Sequence, residues 1–559
     1  MKKIMVMIAF LSLGSCEKGF FDREPLDRIS PENVFSDPAL AQAYLNNLIG
    51  KLPFGMHAFP SASPGYTQYP CMLASISDEA RPKSGWVDNY KIIRGVLTPS
   101  NHYSLGLWNE AYVNIRQANS LITGLAESGI PEPARKQMAG AAKFVRAFMY
   151  FDLTRRYGGV PLITQVQSVS NNLLVPRTTQ SLIYDFLYQE LKECAGMLPD
   201  RSETPAGSIS RQAAIALNAR AMLYAGRWDK AAELSGELIF GPSNDGLDLY
   251  PDYKQLFLSY GGNKEVILEK LTLPPLVGHS FGLYNFPVRW RSDWGGQTCP
   301  TQEFVDAYEM ADGTPFDWAN PAHAADPYNN RDPRFYASVF YHGARFSEIK
   351  PSFGEPFIDM EWNNGNEGPG PKRHGAASIT GYLVRKFVDP SMGFAPKPGE
   401  ERTSWKEIRF AEVLLIYAEA ANEQNGPSAP VYEAVNRIRL RAGMPVLPAG
   451  LTKEAMRERI RHERQIELAF ENHRWFDLIR WGIAREILDG YVPHGIMIER
   501  KPGAPTRTQM PQLFDPVWLM FTRFEVSGAN QFFPSSHFLL PIPQDELDKN
   551  PNLSQNPGY

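Results

Sequence analysis

The stretch His462–Gly482, HERQIELAFENHRWFDLIRWG, decides the fold of this chain. Read as one helix, it places Glu463, Glu467 and Glu471 at i, i+4 spacing on one face, with Arg474 alongside them. Ile466, Leu468, Phe470, Trp475, Phe476 and Ile479 occupy most of the remaining circumference. A helix that is apolar nearly all round is a buried one. Carboxylates taken out of water need cationic partners, because an uncompensated buried charge is very costly. Arg474 and one of Arg437, Arg439 or Arg441 on a neighbouring helix are the expected partners.

Two catalytic readings of this stretch fail on geometry. Acids stacked along one helix face cannot flank a substrate from two sides, as the paired acids of a glycosidase must. His462-Glu463 opens the H-E-x-x-H zinc pattern, but Ile466 stands where the second histidine is required. The cluster therefore reads as scaffold.

Outward from this stretch, helical patterning dominates two further blocks. Asp37–Gly50 reads as a first helix. Between Leu105 and Tyr157 a stripe through Leu107, Ala111, Ile115, Ala118 and Ile122 precedes a second helix, which Gly158-Gly159 stops. Residues 180–240 give three more, with Ser210 as a cap. Within them Ala219–Leu238 reads as helix, turn at Gly226, helix, with small alanines where two helices cross. That is tetratricopeptide-like patterning, and such pairs bury a core only by stacking on one another. From residue 405 helices return over Ile408–Asn422, Ala429–Ala442 and Thr452–Phe470, the last capped by Thr452. The fold class is mainly α: a tetratricopeptide-like helical-repeat scaffold, about 36–50, 105–240 and 405–490, within one domain spanning 36–559.

Two segments interrupt this scaffold. Residues 51–100 are punctuated by prolines and carry Tyr66, Tyr69, Trp86 and Tyr90. A connection this long without periodicity is more often functional than a plain linker. Residues 241–404 form a long irregular insertion in which Glu265–Leu271 and Tyr336–Phe340 read as short strands. Gly278-His279-Ser280-Phe281-Gly282 matches G-x-S-x-G, yet no helix start follows it, so the context of a nucleophile elbow is missing. No P-loop or dinucleotide fingerprint occurs.

The N-terminus carries an address. Lys2 and Lys3 precede an apolar run from Ile4 to Leu13, too short to span a bilayer, and Leu13-Gly14-Ser15-Cys16 follows. Residues 1–15 read as a secretory signal and Cys16 as a lipid-acylated first residue, with 16–35 an extended lead-in from the membrane. Glu17-Lys18 is only a thin version of an acidic surface-export signal. The net charge of −4 becomes −6 without Lys2 and Lys3, which offers nothing to nucleic acid. Cys71, Cys194 and Cys299 remain, an odd number that cannot all pair; Cys194 sits in an amphipathic helix as a small core residue.

These blocks carry a family resemblance. Ile460, Glu463, Arg464, Glu467, Leu468, Glu471, Arg474, Trp475, Asp477 and Leu478, followed by Arg480 and Trp481, resemble the C-terminal signature of the SusD/RagB family of outer-membrane nutrient-binding lipoproteins. The family often has Gly just after the third Glu; here it is Asn472. FFDREPLDRISPENVF, KFVRAFMYFDLTRRYGGVPLI, MADGTPFD, NRDPRFYASVFYHG, RFAEVLLIYAEAANEQNG, AVNRIRLRAG and the tail LLPIPQDELDKNPNLSQNPGY resemble further family blocks in the expected order.

The resemblance implies a non-catalytic outer-membrane lipoprotein that binds a glycan or similar nutrient and delivers it to a SusC-like TonB-dependent transporter. It implies no cofactor. It also places the ligand platform on irregular insertions, here residues 66–90 and 281–318. Aromatic rings pack on the C–H faces of sugars while polar groups bond the hydroxyls. The expected stacking residues are Trp86, Tyr90, Tyr284, Trp290 and Trp294, with Asp78 and Arg81 as hydrogen-bonding partners. An all-helical glycoside hydrolase or lyase, and a helical-repeat scaffold that binds protein, remain alternative readings.

Overall fold

The computed structural model describes residues 35–55, 71–168, 173–274, 278–279, 281–287, 295–346, 357–362, 378–392, 401–505 and 515–559. The helices run in chain order as α1 (Pro38–Gly50), α2 (Asp88–Ile93), α3 (Trp108–Glu127), α4 (Glu132–Tyr157), α5 (Gln180–Met197), α6 (Arg211–Tyr224) and α7 (Trp228–Phe240). The irregular middle holds α8 (Tyr253–Leu258), α9 (Phe281–Asn285), α10 (Gln302–Asp306), α11 (Pro321–Ala325) and α12 (Pro333–Ser338). The C-terminal third holds α13 (Phe410–Asn425), α14 (Ala429–Arg441), α15 (Lys453–Glu467), α16 (Arg474–Arg480), α17 (Ala484–Leu488) and α18 (Gln544–Lys549).

The long helices stack in series: α3 on α4, α4 on α5, α5 on α6, α6 on α7. Then α13, arriving from far along the chain, packs on α7 and carries α14 and α15. Each pair covers what its neighbour would expose, as in helical-repeat folds. Local chemistry sets the ends. Asp37, Ser210 and Thr452 accept from main-chain N–H groups at the starts of α1, α6 and α15. Gly226 turns the chain at φ +68° between α6 and α7. Cys194 is buried in α5, as its helix pattern implied.

The strands form four antiparallel pairs among the described residues: β1 (Ala80–Pro82) with β3 (Thr298–Pro300), β2 (Val266–Lys270) with β6 (Trp405–Arg409), β4 (Val339–Phe340) with β5 (Leu383–Val384), and β7 (His494–Arg500) with β8 (Leu519–Glu525). Two sequence expectations shift. Tyr336–Phe340 is the end of α12 followed by β4, and the start of the expected 408–422 helix is the end of β6. Among the described residues no helix is long and apolar enough to cross a membrane.

The central stretch is not one helix. α15 stops at Glu467, and Phe470 (φ +61°) and Asn472 (φ +65°) turn the chain before α16 starts at Arg474. Asn is among the few residues that tolerate the left-handed region, which is why Asn472 can stand at this turn. Apolar residues on every side hid this break, because a buried turn and a buried helix share that signature.

The three glutamates are buried as expected, but their partners come from a wider circle. Glu463 meets Arg334 (2.5 Å) and Arg439 (3.1 Å). Glu467 meets Arg334 (3.0 Å), Arg409 (2.7 Å) and Arg441. Glu471 meets Arg409 and Lys386, each at 2.7 Å. Arg409 also reaches Glu265 at 2.8 Å, so one guanidinium joins β2, β6, α15 and the turn. Burial pushes the Glu467 carboxyl up, but Arg441, Arg409 and Arg334 outweigh it and hold it well below the usual range. Arg439 and Arg441 were expected. Arg437 instead pairs with Asp248 near the surface, and Arg474 turns elsewhere.

Candidate ligand-binding surface

Arg474 leaves the glutamate cluster because the turn at 468–472 swings it towards the first irregular insertion. Its Nε and Nη2 donate to Asp78 Oδ1 and Oδ2 at 2.8 and 2.7 Å. The neighbouring Glu79, fully buried, accepts from the Phe470 N–H at 3.2 Å. Burial and the adjacent Asp78 push the Glu79 carboxyl up to about 8. The signature stretch thus bolts residues 78–79 to the scaffold at two points.

From that anchor the two insertions are brought side by side. Arg81 in β1 pairs with Cys299 in β3, and the Lys83 N–H donates to the Gln297 carbonyl at 2.9 Å. The Gln297 N–H donates in turn to the Tyr284 carbonyl at 2.8 Å. Beyond β1 the chain enters α2. There Asn89 donates to the Met72 carbonyl (2.9 Å) and Ser75 Oγ (2.7 Å), fixing the helix on the preceding turn.

The expected site residues divide sharply on this frame. Trp86 stands at the entry to α2 with 54% of its surface exposed. Tyr90, four residues on, is half-buried, its ring lying against Gly85 and its hydroxyl donating to the Gly528 carbonyl at 3.3 Å. Tyr284, within α9, is buried, contrary to its expected place as a stacking ring. Arg81 has no exposed surface: Nε donates to the Ala529 carbonyl (3.2 Å), Nη1 to those of Ser77 and Ala80, and the guanidinium lies 4.5 Å from the centre of the Tyr491 ring. Its donors hold the 526–532 loop against β1, a structural task in place of the expected ligand contact. Asp78 is committed to Arg474, and burial, which pushes its carboxyl up, is outweighed by that guanidinium so that the net shift is downward. Trp290, Trp294 and Cys16 lie outside the described residues, as does Ser280 of the G-x-S-x-G match. A short helix, α9, starts at Phe281 inside that match, contrary to the sequence reading; His279 beside it donates its Nε2–H to the Thr403 carbonyl at 2.9 Å.

Two surface residues escaped the sequence reading. Phe532, 46% exposed, is brought beside α2 by its N–H bond to the Ile93 carbonyl (2.8 Å). Arg94, at the end of α2, places its guanidinium 5.2 Å from the centre of that ring. Elsewhere, a groove of about 890 Å³ lies between α3, residues 161–168 and 173–175, and α18, lined by Trp108, Tyr112, Val113 and Leu173 among others; none of the described site residues borders it. Among the described residues no cluster of three His, Cys, Asp or Glu side chains could hold a metal ion.

The sequence profile of the SusD family matches residues 278–559, half of the chain. This chain belongs to the SusD family. A second profile, described as starch-binding and associating with the outer membrane, matches residues 27–223 of the same SusD-family chain. It is 26% identical to a SusD-like protein, P2, of Formosa agariphila across 100% of its own length and 99% of that protein's. Two solved structures from Bacteroides fragilis share its fold. A SusD-like protein superposes with TM-score 0.76 at 28% identity, covering 96% of this chain and 100% of that one. A SusD-like carbohydrate-binding protein gives 0.75 at 27%, covering 93% and 100%.

Proposed function

We propose that this SusD-family chain is a non-catalytic lipoprotein, anchored through Cys16 at the outer membrane, that captures a glycan on the surface bearing Trp86 and Tyr90. Trp290 and Trp294, on the second insertion, are the further stacking residues of this proposal, whereas Tyr284 is buried and takes no part, and a SusC-like TonB-dependent transporter receives the ligand. The observation that carries this reading is Trp86: a large ring held open to solvent on a segment anchored by the family's own signature residues. An indole is more often buried, so a rigidly mounted exposed one favours a contact surface. The fold shared with a carbohydrate-binding relative and the outer-membrane description of the matching profile support it. The acids of the signature stretch are closed into ion pairs with no open cleft between them, which favours scaffold over general acid–base chemistry.

The test is affinity electrophoresis of the full chain through a panel of polysaccharides, with product analysis. Retention without shortening of the glycan, weakened in Trp86→Ala, is the expected result. Cleavage, or retention by no member of the panel, overturns it. Loss of membrane partitioning in Cys16→Ala tests the anchor, and co-purification with a SusC-like TonB-dependent transporter tests the partner.

A further inference from the structure

Tyr90 lies within α2, Arg94 caps the end of that helix one turn on with Phe532 beside it, and Trp86 stands two residues before the helix starts. At ~1.5 Å per helical residue Tyr90 and Arg94 lie about 6 Å apart along the axis of this surface. It joins two well-exposed rings and a half-buried one to a cation. Arg334, Arg409, Arg439, Arg464, Arg474 and Arg480 are all paired with carboxylates, whereas exposed Arg94 stacks on Phe532 and meets no carboxylate among the described residues. Lys91 beside it is also exposed. Residues 83–94 carry Lys83, Lys91 and Arg94 against Asp88 alone, a basic surface on a chain whose net charge is −4.

The geometry points to an anionic polysaccharide as the ligand class of this surface, its sugar faces on Trp86 and Tyr90 and its carboxylate or sulfate ester on the Arg94 guanidinium. This rests on the glycan-binding reading above and narrows it. The guanidinium presents a planar fork of donors that matches either oxyanion, and stacking on Phe532 orients the fork without neutralising it. A neutral glycan would offer the guanidinium only hydroxyl acceptors, which gain less from its charge than a carboxylate or sulfate ester does.

The full chain is titrated with alginate (carboxylate only), carrageenan (sulfate only) and laminarin (neutral), as wild type, Arg94→Gln, Arg94→Lys and Trp86→Ala. Retention of alginate or carrageenan is expected, and which of the two identifies the oxyanion. Arg94→Gln should weaken it roughly tenfold or more, the scale of a charge-assisted hydrogen bond, with partial recovery in Arg94→Lys. Raising NaCl from about 50 to about 500 mM should weaken wild-type binding more than that of Arg94→Gln, because exposed charges are screened. Laminarin retention that falls in Trp86→Ala but not in Arg94→Gln overturns the anionic ligand and leaves the glycan reading standing. Anionic retention indifferent to Arg94 and to salt also overturns it. No retention of any of the three sinks both.

Discussion

Replacing Arg409 by Met tests the frame on which everything else is mounted. Arg409 is almost wholly buried and touches Glu265, Glu467 and Glu471 through four of its donor contacts, at 2.7 to 2.8 Å. Met keeps the stem's apolar packing and removes the charge. Glu471 then relies on Lys386, Glu265 on Arg441, and Glu467 on Arg334 and Arg441. Removing one partner from a buried ion pair costs about 3–5 kcal/mol, since the partner charge stays behind in low dielectric. With an unfolding entropy of about 2.1 cal/mol/K per residue, a domain of roughly 520 residues loses about 1 °C of Tm per ~1.1 kcal/mol, so the expected fall is about 3–5 °C by calorimetry. The double variant Arg409→Met/Glu471→Gln should recover part of it, with a coupling above about 1 kcal/mol. Sign follows from Glu467. Its carboxyl sits below its unfolded value, so its contribution is present above that value of 4.5 and is lost as pH falls through the folded one. Wild type should therefore lose more Tm between pH 7 and pH 4 than Arg409→Met. A Tm within 1 °C of wild type, with no change in acid sensitivity, would refute the reasoning.

Three further outcomes follow from single contacts. Glu79→Gln keeps an acceptor for the Phe470 N–H but removes a carboxyl raised to about 8. Stability from the protonated acid is fully present below its unfolded pKa of 4.5 and is lost as pH rises through about 8, so wild-type Tm should decline from pH 6 to 9 more steeply than that of the variant. At the left-handed turn, Asn472→Gly should leave Tm unchanged or slightly raised, whereas Asn472→Val should cost about 1–2 kcal/mol, readable by denaturant titration. Trp86→Ala should weaken glycan retention roughly tenfold while Tm stays within about 1 °C, because an exposed ring contributes little to packing.

The helical frame was legible because a 3.6-residue apolar period needs only local sequence. α3 to α7, the Ser210 cap of α6 and the Gly226 turn all announced themselves from local sequence. Burial of the signature glutamates was legible too. What local patterning could not supply was long-range pairing. Arg334, Arg409 and Lys386 reach Glu463, Glu467 and Glu471 from 58 or more positions away. The two irregular insertions meet through strands three residues long, too short to leave an alternating pattern. Arg81 was misread because a guanidinium in an irregular segment looks solvent-bound until the carbonyls around it are known. Phe532 lies in a loop of the C-terminal segment with no period to mark it, and only its main-chain bond to Ile93 brings it to α2. Asn472 was a local signal of the break, because Asn tolerates the left-handed backbone found there.

The central claim is that a sealed, ion-paired helical frame presents an aromatic surface that holds a glycan and leaves its bonds intact. Incubating the full chain with a polysaccharide it retains, then sizing that polysaccharide and counting its reducing ends, measures this directly. The account predicts retention with unchanged chain length and no new reducing ends; shortening that disappears when Ser280 or a single acid is replaced would contradict it.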